Sequence, residues 1–379
     1  MVGDDASYFS SEVWLGVLEA AKVEHESEVG ITSEELEPIL DLPYPQALAK
    51  LSKFGWGRER RPSTRKPIPL QLSHSHDPSP RWLRNQLRRI LDLFDVWAIV
   101  ASASAGDVKP LREALAGIDI PLLVTTDSTT VSASGQRPNE LRLMPSNRSQ
   151  ATAMLFTAIR GNLPNPGSER EDLPLRSRPK IACSQEETPQ ARQYVQDLVK
   201  QLHNEARRHG IMISEFNEMR DHMGPVIVIG YSGHAESIIK RRVPRRITIL
   251  SDGCATDSVT EAVEQERDDS QFWYVARPEA QLREVGRTSF SAVAEAGKKL
   301  LTWDAQSSDQ EFPKTSLRDV IKIILAESSD LFTFDGIENV APAYRVEPVL
   351  DDVELGVPEP PRQTLNSKGT KKGHLQALR

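Results

Sequence analysis

Short apolar runs alternate with longer amphipathic stretches along most of this chain, and this alternation constrains the fold more than any other feature. The runs are bounded by Pro, Gly and Ser, whereas the stretches between them carry apolar residues at helical spacing. Strand and helix in alternation predict a parallel sheet covered by helices, which is an α/β fold. The runs that we predict as strands are PIPLQLS (67–73), VWAIVAS (96–102), IPLLVT (120–125), ELRLMP (140–145), PKIACS (179–184), VIVIG (226–230), ITILSD (247–252) and FWYVA (272–276).

A Pro-rich and charged segment at 162–178 separates two series of predicted strands and helices. Because 379 residues can build two lobes that each bury a core, we predict two doubly wound, Rossmann-like lobes. The first lobe covers 1–160 and the second covers 179–277. The tail at 352–379 lacks apolar periodicity and is predicted to be disordered.

The residues before Pro67 allow two interpretations. One is a winged helix-turn-helix, in which three helices precede the basic run GRERRPSTRK; these would span Ser11–Glu28, Thr32–Asp41 and Tyr44–Phe54. In the other, VWLGVL at 13–18 is a strand and 19–66 is an irregular insertion. A doubly wound lobe with strand order 2-1-3-4-5 needs a first strand at its centre, and this need favours the strand at 13–18.

Composition and charge narrow the function classes. No apolar run approaches the roughly 20 residues that cross a bilayer, so we expect no membrane insertion. The net charge of −7 argues against a general nucleic-acid binder. The start of the sequence, MVGDDASYFSSEVW, lacks the basic and apolar segments of an export signal, so we expect a cytoplasmic location. We expect Cys183 and Cys254 to be free thiols, because two cysteines cannot form a disulfide framework.

Hydroxyl-bearing and small residues follow several of the predicted strands. Helix capping explains any one of these positions, but the pattern recurs at Ser102–Asp107, Thr125–Thr130, Tyr231–His234 and Asp252–Thr256. In open parallel sheets, ligands bind beyond the carboxyl ends of the strands. Hydroxyl groups both donate and accept hydrogen bonds, so these turns together predict a cleft for a small polar solute.

The sequence over 96–159 resembles the type I periplasmic-binding-protein family, in the branch of branched-chain amino-acid-binding proteins and receptor ligand-binding regions. The likeness is carried by SASAGD (102–107), by IPLLVTTDSTT (120–130), and by RLMPS (142–146) followed by QA (150–151). HSHDPSP, VIVIGYSGHAESIIK and ITILSDG fit further strand ends of that family. The likeness extends from about Pro67 to Val349.

This resemblance implies two lobes that are hinged by three crossovers and close over a solute without chemistry. It implies that about 278–310 returns to the first lobe and about 311–350 to the second. The α-carboxylate of a ligand would meet the first-lobe turns, and its amino group would meet the second lobe. The candidate ligand-binding residues are Ser102, Ser104, Ala105, Asp127, Ser128, Thr129, Tyr231, Ser232 and Asp252. Asp127 would repel a carboxylate, so a ligand that meets it offers a cation or a hydrogen-bond donor there.

An enzyme is the main alternative to a binding protein. VIVIGYSGHA places Ser232 in a turn like a nucleophile elbow, but His234 stands where the elbow has its last Gly, and only His374 follows it along the chain. SHSHD places His74, His76 and Asp77 together, but polar residues at a strand end explain this run better than a metal site. We therefore predict no catalysis, no cofactor and no metal.

The sequence predicts a non-catalytic ligand-binding or sensor domain for a small polar solute of the amino-acid type, which signals by hinge closure. It would work with a partner protein or within a larger multidomain system. One alternative is an exported solute-binding component of an ABC transporter that lacks its signal peptide. Another is a degenerate binding fold that acts as a protein-interaction or DNA-binding regulatory module.

Overall fold

Strands and helices alternate along the chain, as predicted. The computed structural model describes residues 1–4, 8–27, 29–53, 66–74, 79–102, 105–125, 139–161, 180–189, 191–216, 224–241, 247–266, 272–278, 281–306, 316–328, 332–335, 338–339 and 344–350. The elements up to residue 142 are β1 (Val2–Asp4), α1 (Tyr8–His25), α2 (Ser33–Leu40), α3 (Tyr44–Lys53), β2 (Leu72–His74), α4 (Pro80–Leu93), β3 (Ile99–Ser102), α5 (Ala105–Ala114), β4 (Leu122–Val124) and β5 (Glu140–Arg142). Those that follow are α6 (Asn147–Gly161), β6 (Ile181–Gln185), α7 (Arg192–Arg208), β7 (Ile213–Glu215), β8 (Val226–Ile229), α8 (Ser232–Ile239), β9 (Ile247–Leu250), α9 (Asp257–Gln265), β10 (Phe272–Pro278), α10 (Leu282–Gln306), α11 (Leu317–Ser328), β11 (Phe334–Asp335), β12 (Glu338–Asn339) and β13 (Tyr344–Pro348).

These strands form two separate sheets, one in each lobe. The first sheet has the order β11-β12-β5-β4-β3-β1-β2, and the second has the order β13-β10-β9-β8-β6-β7. Neighbouring strands are parallel except at one edge of each sheet, where β11 pairs antiparallel with β12 and β13 pairs antiparallel with β10. The two-lobe α/β architecture predicted from the sequence is therefore confirmed.

The central strands are buried at every position, because helices cover both faces of each sheet. Strands β3, β4 and β8 expose no residue, which explains why they read as unbroken apolar runs. In the first lobe, α2 to α5 pack on one face, and α1, α10 and α11 pack on the other. In the second lobe, α6 and α7 cover one face, and α8 and α9 cover the other.

Helix α4 shows how local sequence sets these elements. The Ser79 hydroxyl accepts a hydrogen bond from the backbone N–H of Trp82 at 3.2 Å, and Pro80 occupies the first helical position. Leu83, Leu87 and Ile90 then recur at intervals of four and three residues and are buried against the sheet. Arg88 lies between them in the sequence and is exposed.

The amino end of the chain differs from the prediction. The strand predicted at 13–18 is wrong, because these residues lie within α1. The central first strand is Val2–Asp4, which pairs parallel with both β2 and β3. Its three residues are too few to produce a periodic signal. The helices α2 and α3 exist, but Leu36, Ile39 and Leu51 pack into the core of the first lobe instead of forming a separate winged helix.

Two helices do not pack in the lobe to which the predicted lobe boundaries assign them. Helix α6, predicted within the first lobe, packs on the second sheet through Ala151, Met154, Leu155 and Ala158. Helix α11, predicted within the second lobe, packs on the first sheet. Between residues 281 and 350, only β13 joins the second sheet among the residues described. The predicted break at 162–178 and the tail at 352–379 lie outside the described residues.

Helices α1 and α10 approach each other so closely that their backbones touch. A Cβ atom on Gly16 would lie 1.9 Å from the carbonyl oxygen of Arg283, and one on Gly286 would lie 2.2 Å from the carbonyl oxygen of Val13. Only glycine permits such an approach. Both helices are long, with 18 and 25 residues, but none of the described helices has the length and apolar composition needed to span a bilayer.

Candidate ligand-binding site

The carboxyl ends of β6, β8 and β9 bring a cluster of aromatic and acidic side chains together in the second lobe. The three strands are neighbours and parallel, with Gln185 opposite Ile229 and Val228 opposite Leu250. The residues that follow them therefore leave the sheet at one edge, where ligands bind in open α/β sheets. Three of the predicted site residues, Tyr231, Ser232 and Asp252, lie at this edge.

Asp252 is held by two tyrosines from distant parts of the chain. It opens the short turn Asp252–Cys254 after β9 and is half-buried. Tyr194 of α7 donates its hydroxyl to Oδ1, and Tyr344 of β13 donates to Oδ2 at 2.7 Å. Burial, and then the negative charge of Asp252, raise the pKa of Tyr194 well above its ordinary value, so its hydroxyl stays protonated and remains a donor. The carboxylate is thus held in one orientation.

Glu186 fixes the neighbouring turn. It follows β6 and is half-buried, and its Oε2 atom accepts the backbone N–H of Tyr231 at 2.7 Å. Its Oε1 atom accepts the Thr188 hydroxyl at 2.5 Å. Each oxygen of this carboxylate therefore also has a donor, and its position is set by the backbone of the turn that carries Tyr231.

The ring of Tyr231 stacks on Tyr194 and lies close to Gly253. The two tyrosine rings are stacked, with centroids 5.6 Å apart and an angle of 19° between their planes. A Cβ atom on Gly253 would lie 2.9 Å from the Tyr231 ring and 2.5 Å from the carbonyl oxygen of Gly230. The absence of a side chain at position 253 lets this ring approach the backbone of the turn after β9.

The surroundings of Ser232 do not resemble those of a catalytic serine. Ser232 begins α8, whereas the histidine two residues later is directed elsewhere: His234 Nε2 lies 3.1 Å from the hydroxyl of Ser184. Burial lowers the pKa of His234; Glu186 opposes this shift and Arg241 adds to it. Burial also raises the pKa of both thiols, Cys183 and Cys254, to about 12, so neither is a thiolate at neutral pH.

The first-lobe part of the predicted site is described only in part. Ser102 ends β3 and is buried; its carbonyl oxygen accepts the Ser10 hydroxyl at 2.5 Å. Its own hydroxyl has no hydrogen-bond partner among the described residues. Ala105 begins α5. Ser104, Asp127, Ser128 and Thr129 lie outside the described residues, as do His76 and Asp77 of the metal-site alternative.

Three contributors to this edge were missed at the sequence level. Glu186 belongs to SQEETP directly after β6, so a polar strand end did signal it. Tyr194 and Tyr344 had no such signal. One lies inside an amphipathic helix and the other on an edge strand. Only the packing of α7 on the sheet and the pairing of β13 with β10 bring their hydroxyls to Asp252.

The electrostatics of the cluster suit a positively charged group. Glu186 and Asp252 are two carboxylates at one edge, and no ion pair joins either to a cationic side chain in the part of the chain that the structure describes. Tyrosine faces attract cations through their quadrupole, and carboxylates form strong charge-assisted hydrogen bonds with ammonium groups. The edge can therefore recognise an ammonium group without any chemical reaction.

Comparisons with known proteins agree on the fold. No protein-family model matches the chain, and a search of curated proteins finds no match. The periplasmic binding protein type 1 of Bordetella pertussis superposes with a TM-score of 0.53 at 13% identity, covering 92% of this chain and 98% of that one. An ABC transporter substrate-binding protein of Desulfitobacterium hafniense in complex with Leu gives 0.51 at 10% identity, with 92% and 96% covered. The leucine-binding protein LivK of Thermotoga maritima gives 0.50 at 13% identity, with 85% of each chain covered.

Proposed function

We propose that this chain, which has the two-lobe fold of type I periplasmic binding proteins, is a non-catalytic sensor that binds a small amino-acid-like solute between its lobes. The observation that carries the proposal is Asp252, which two tyrosine hydroxyls hold at the carboxyl edge of the second sheet. Asp252 and the ring of Tyr231 would receive the ammonium group of the solute. Ser232, which begins α8 beside them, would contribute a hydroxyl.

The other end of the solute would meet the first lobe. Ser102, Ser104 and Ala105 would face it from one turn, and Ser128 and Thr129 from the next. Asp127 directly precedes Ser128 in the sequence and would repel a carboxylate that it faced, so a solute with a second amino or amide group is favoured over a simple aliphatic amino acid. Two of the proteins that share this fold support an amino-acid-like ligand, since one is described as leucine-binding and another is in complex with Leu.

Hinge closure would turn binding into a signal. A solute that contacts both lobes binds the closed arrangement more tightly than the open one and shifts the population toward it. Such a change in shape needs no bond to be made or broken. We propose that a partner protein reads this change inside the cell.

A screen of solutes with a paired variant tests the proposal. We expect at least one member of a panel of amino acids, amines, nucleosides and organic acids to raise the melting temperature of the native chain. Asp252→Asn keeps the shape of the side chain but removes its charge, so it should weaken binding of that solute by about tenfold to a hundredfold, as expected for a charge-assisted hydrogen bond.

Asp257→Asn is the matched control, because Asp257 lies five positions later, is exposed, and begins α9 away from the tyrosines. It should bind the solute as the native chain does. The proposal is wrong if no member of the panel raises the melting temperature, or if Asp252→Asn and Asp257→Asn bind the solute equally well.

A transport role is the second candidate, because one of the structures with this fold is an ABC transporter substrate-binding protein. Both candidates use the same cleft, but they differ in where the protein must act. Fractionation of cells that produce the full-length native protein separates them: recovery with the cytosol favours the sensor, and recovery outside the cytoplasmic membrane favours the transport component.

A further inference from the structure

A cavity of about 430 Å³ lies in the first lobe, at the end opposite to the ligand edge. Its floor is formed where β1, β2 and β3 begin, at Val2, Leu72 and Ile99. Because these strands are parallel, their carboxyl ends point away from it. The cavity is therefore separate from any solute site between the lobes.

Most of the residues that line the cavity have apolar side chains. They come from the second half of α4, from 67–70, and from the inner faces of α1 and α10, where Val17, Phe290 and Val293 line the space. Protein interiors are normally packed to the density of organic crystals, so a space of this size is not an ordinary packing defect. An apolar lining also offers water few hydrogen bonds. Both facts favour an apolar ligand over solvent.

The ionisable side chains that line the cavity are His25, Lys66 and Asp95. Two of them, His25 and Lys66, lie side by side. His25 Nε2 is 2.8 Å from the carbonyl oxygen of Pro67, and Lys66 Nζ donates to the carbonyl oxygen of Glu24 at 2.7 Å. A carbonyl can only accept, so Nε2 carries a proton, and Nζ keeps two further N–H donors.

The side chain of Glu24, whose backbone carbonyl accepts from Lys66, is already engaged. Glu24 forms an ion pair with Lys298 at 2.7 Å, and no ion pair joins Lys66 to a carboxylate of the residues described. Lys66 is exposed at the mouth of the cavity. Its positive charge is therefore placed to meet an anion whose apolar part enters the cavity.

We propose that this cavity is a second binding site, which takes an amphipathic carboxylate with an aliphatic chain. The chain would lie among the side chains of α1, α4 and α10, and the carboxylate would meet Lys66 at the mouth. The volume lies within the range of pockets that bind small organic ligands. The site is independent of the proposed solute site, because it uses the other end of the sheet and none of the same residues.

Titration calorimetry with dodecanoate, kept below its micelle concentration, tests the proposal on the full chain. We expect saturable binding. Ala98→Phe and Leu91→Trp each place an aromatic ring at a lining position and should weaken binding by about tenfold or more. Two cavity-filling variants are used because one of them can fail to fold. Binding is compared with the native chain for a variant that keeps the native melting temperature. Asp252→Asn should leave dodecanoate binding unchanged.

The head group is tested with Lys66→Gln and with dodecanol, which has the same chain without the charge. Lys66→Gln should weaken dodecanoate roughly fivefold, as expected for a partly exposed charge pair, and leave dodecanol unaffected. Lys109→Gln, at an exposed lysine of α5 in the same lobe, is the control and should change neither. The proposal is overturned if dodecanoate does not saturate, if a folded filling variant binds it as tightly as the native chain, or if Lys66→Gln and Lys109→Gln behave alike.

Discussion

At the scale of single residues, Glu140 is a buried charge for which the chain supplies a partner. Glu140 has no exposed side-chain surface, and Arg112 of α5 binds it with two hydrogen bonds, of 2.9 Å and 2.6 Å. This two-pronged geometry matches the planar guanidinium to the carboxylate. Asp252 follows the same rule with two tyrosines in place of an arginine.

Removing Arg112 should show how much the buried carboxylate of Glu140 destabilises the protein when it has lost this partner. Arg112→Met leaves Glu140 enclosed without its partner, so we expect the free energy of unfolding, measured in urea, to fall by about 3–5 kcal/mol. The control is Lys299→Met, which breaks the exposed pair with Glu295 on α10 and should cost at most about 0.5 kcal/mol. Equal losses in the two variants would contradict the role of burial.

His234 should make stability depend on pH. Because burial lowers its pKa in the folded state, the folded chain binds its proton less readily than the unfolded chain does. The stability that depends on the neutral ring is therefore present above the unfolded pKa, near 6.5, and is lost as the pH falls through the lower folded value.

Urea unfolding at several pH values between 8 and 5 measures this effect. The native chain should lose more stability toward pH 5 than His234→Gln does, and the two curves should run parallel at pH 7 and above. His203→Gln, at an exposed histidine of α7, should keep the native pH dependence. A curve for His234→Gln that runs parallel to the native one down to pH 5 would refute the prediction.

At the scale of elements, the close contact between α1 and α10 explains why the strand predicted at 13–18 was wrong. VWLGVL looks like a strand because it is almost wholly apolar, and it is so because Val13 and Val17 are buried between the sheet and α10. Gly16 lowers helix propensity, which strengthens the resemblance to a strand, yet it is required by the helix contact. Packing with an element some 270 residues later overrides the local pattern.

Gly16→Ala should therefore destabilise the protein although alanine favours helices. The added methyl group meets the backbone of α10, so we expect a loss of about 1–3 kcal/mol in the free energy of unfolding. Gly233→Ala is the matched control, because a Cβ atom there has nothing within 4 Å. That change should be neutral or stabilise by up to about 1 kcal/mol. If both variants gain stability, the helices are not in backbone contact.

At the scale of the whole molecule, the sequence predicted the architecture better than the path of the chain. Repeated strand and helix signals were enough for two doubly wound lobes, and polar strand ends placed Tyr231 and Asp252 at one edge. The lobe to which α6 and α11 belong could not be predicted. The apolar pattern of an amphipathic helix shows which face is buried but not which sheet that face covers. Tyr194 and Tyr344 could not be predicted as partners of Asp252 for the same reason.

The position of Tyr344 in the chain affects the order in which the contacts of Asp252 form during synthesis. Strands β6 to β10 leave the ribosome before β13, which adds an antiparallel edge to their sheet. Until β13 has been made, Asp252 has Tyr194 but lacks its second donor. Since domains form as their segments emerge, the second lobe completes its sheet only after α10 and α11, which pack on the first sheet, have been made, and Asp252 acquires both donors only then.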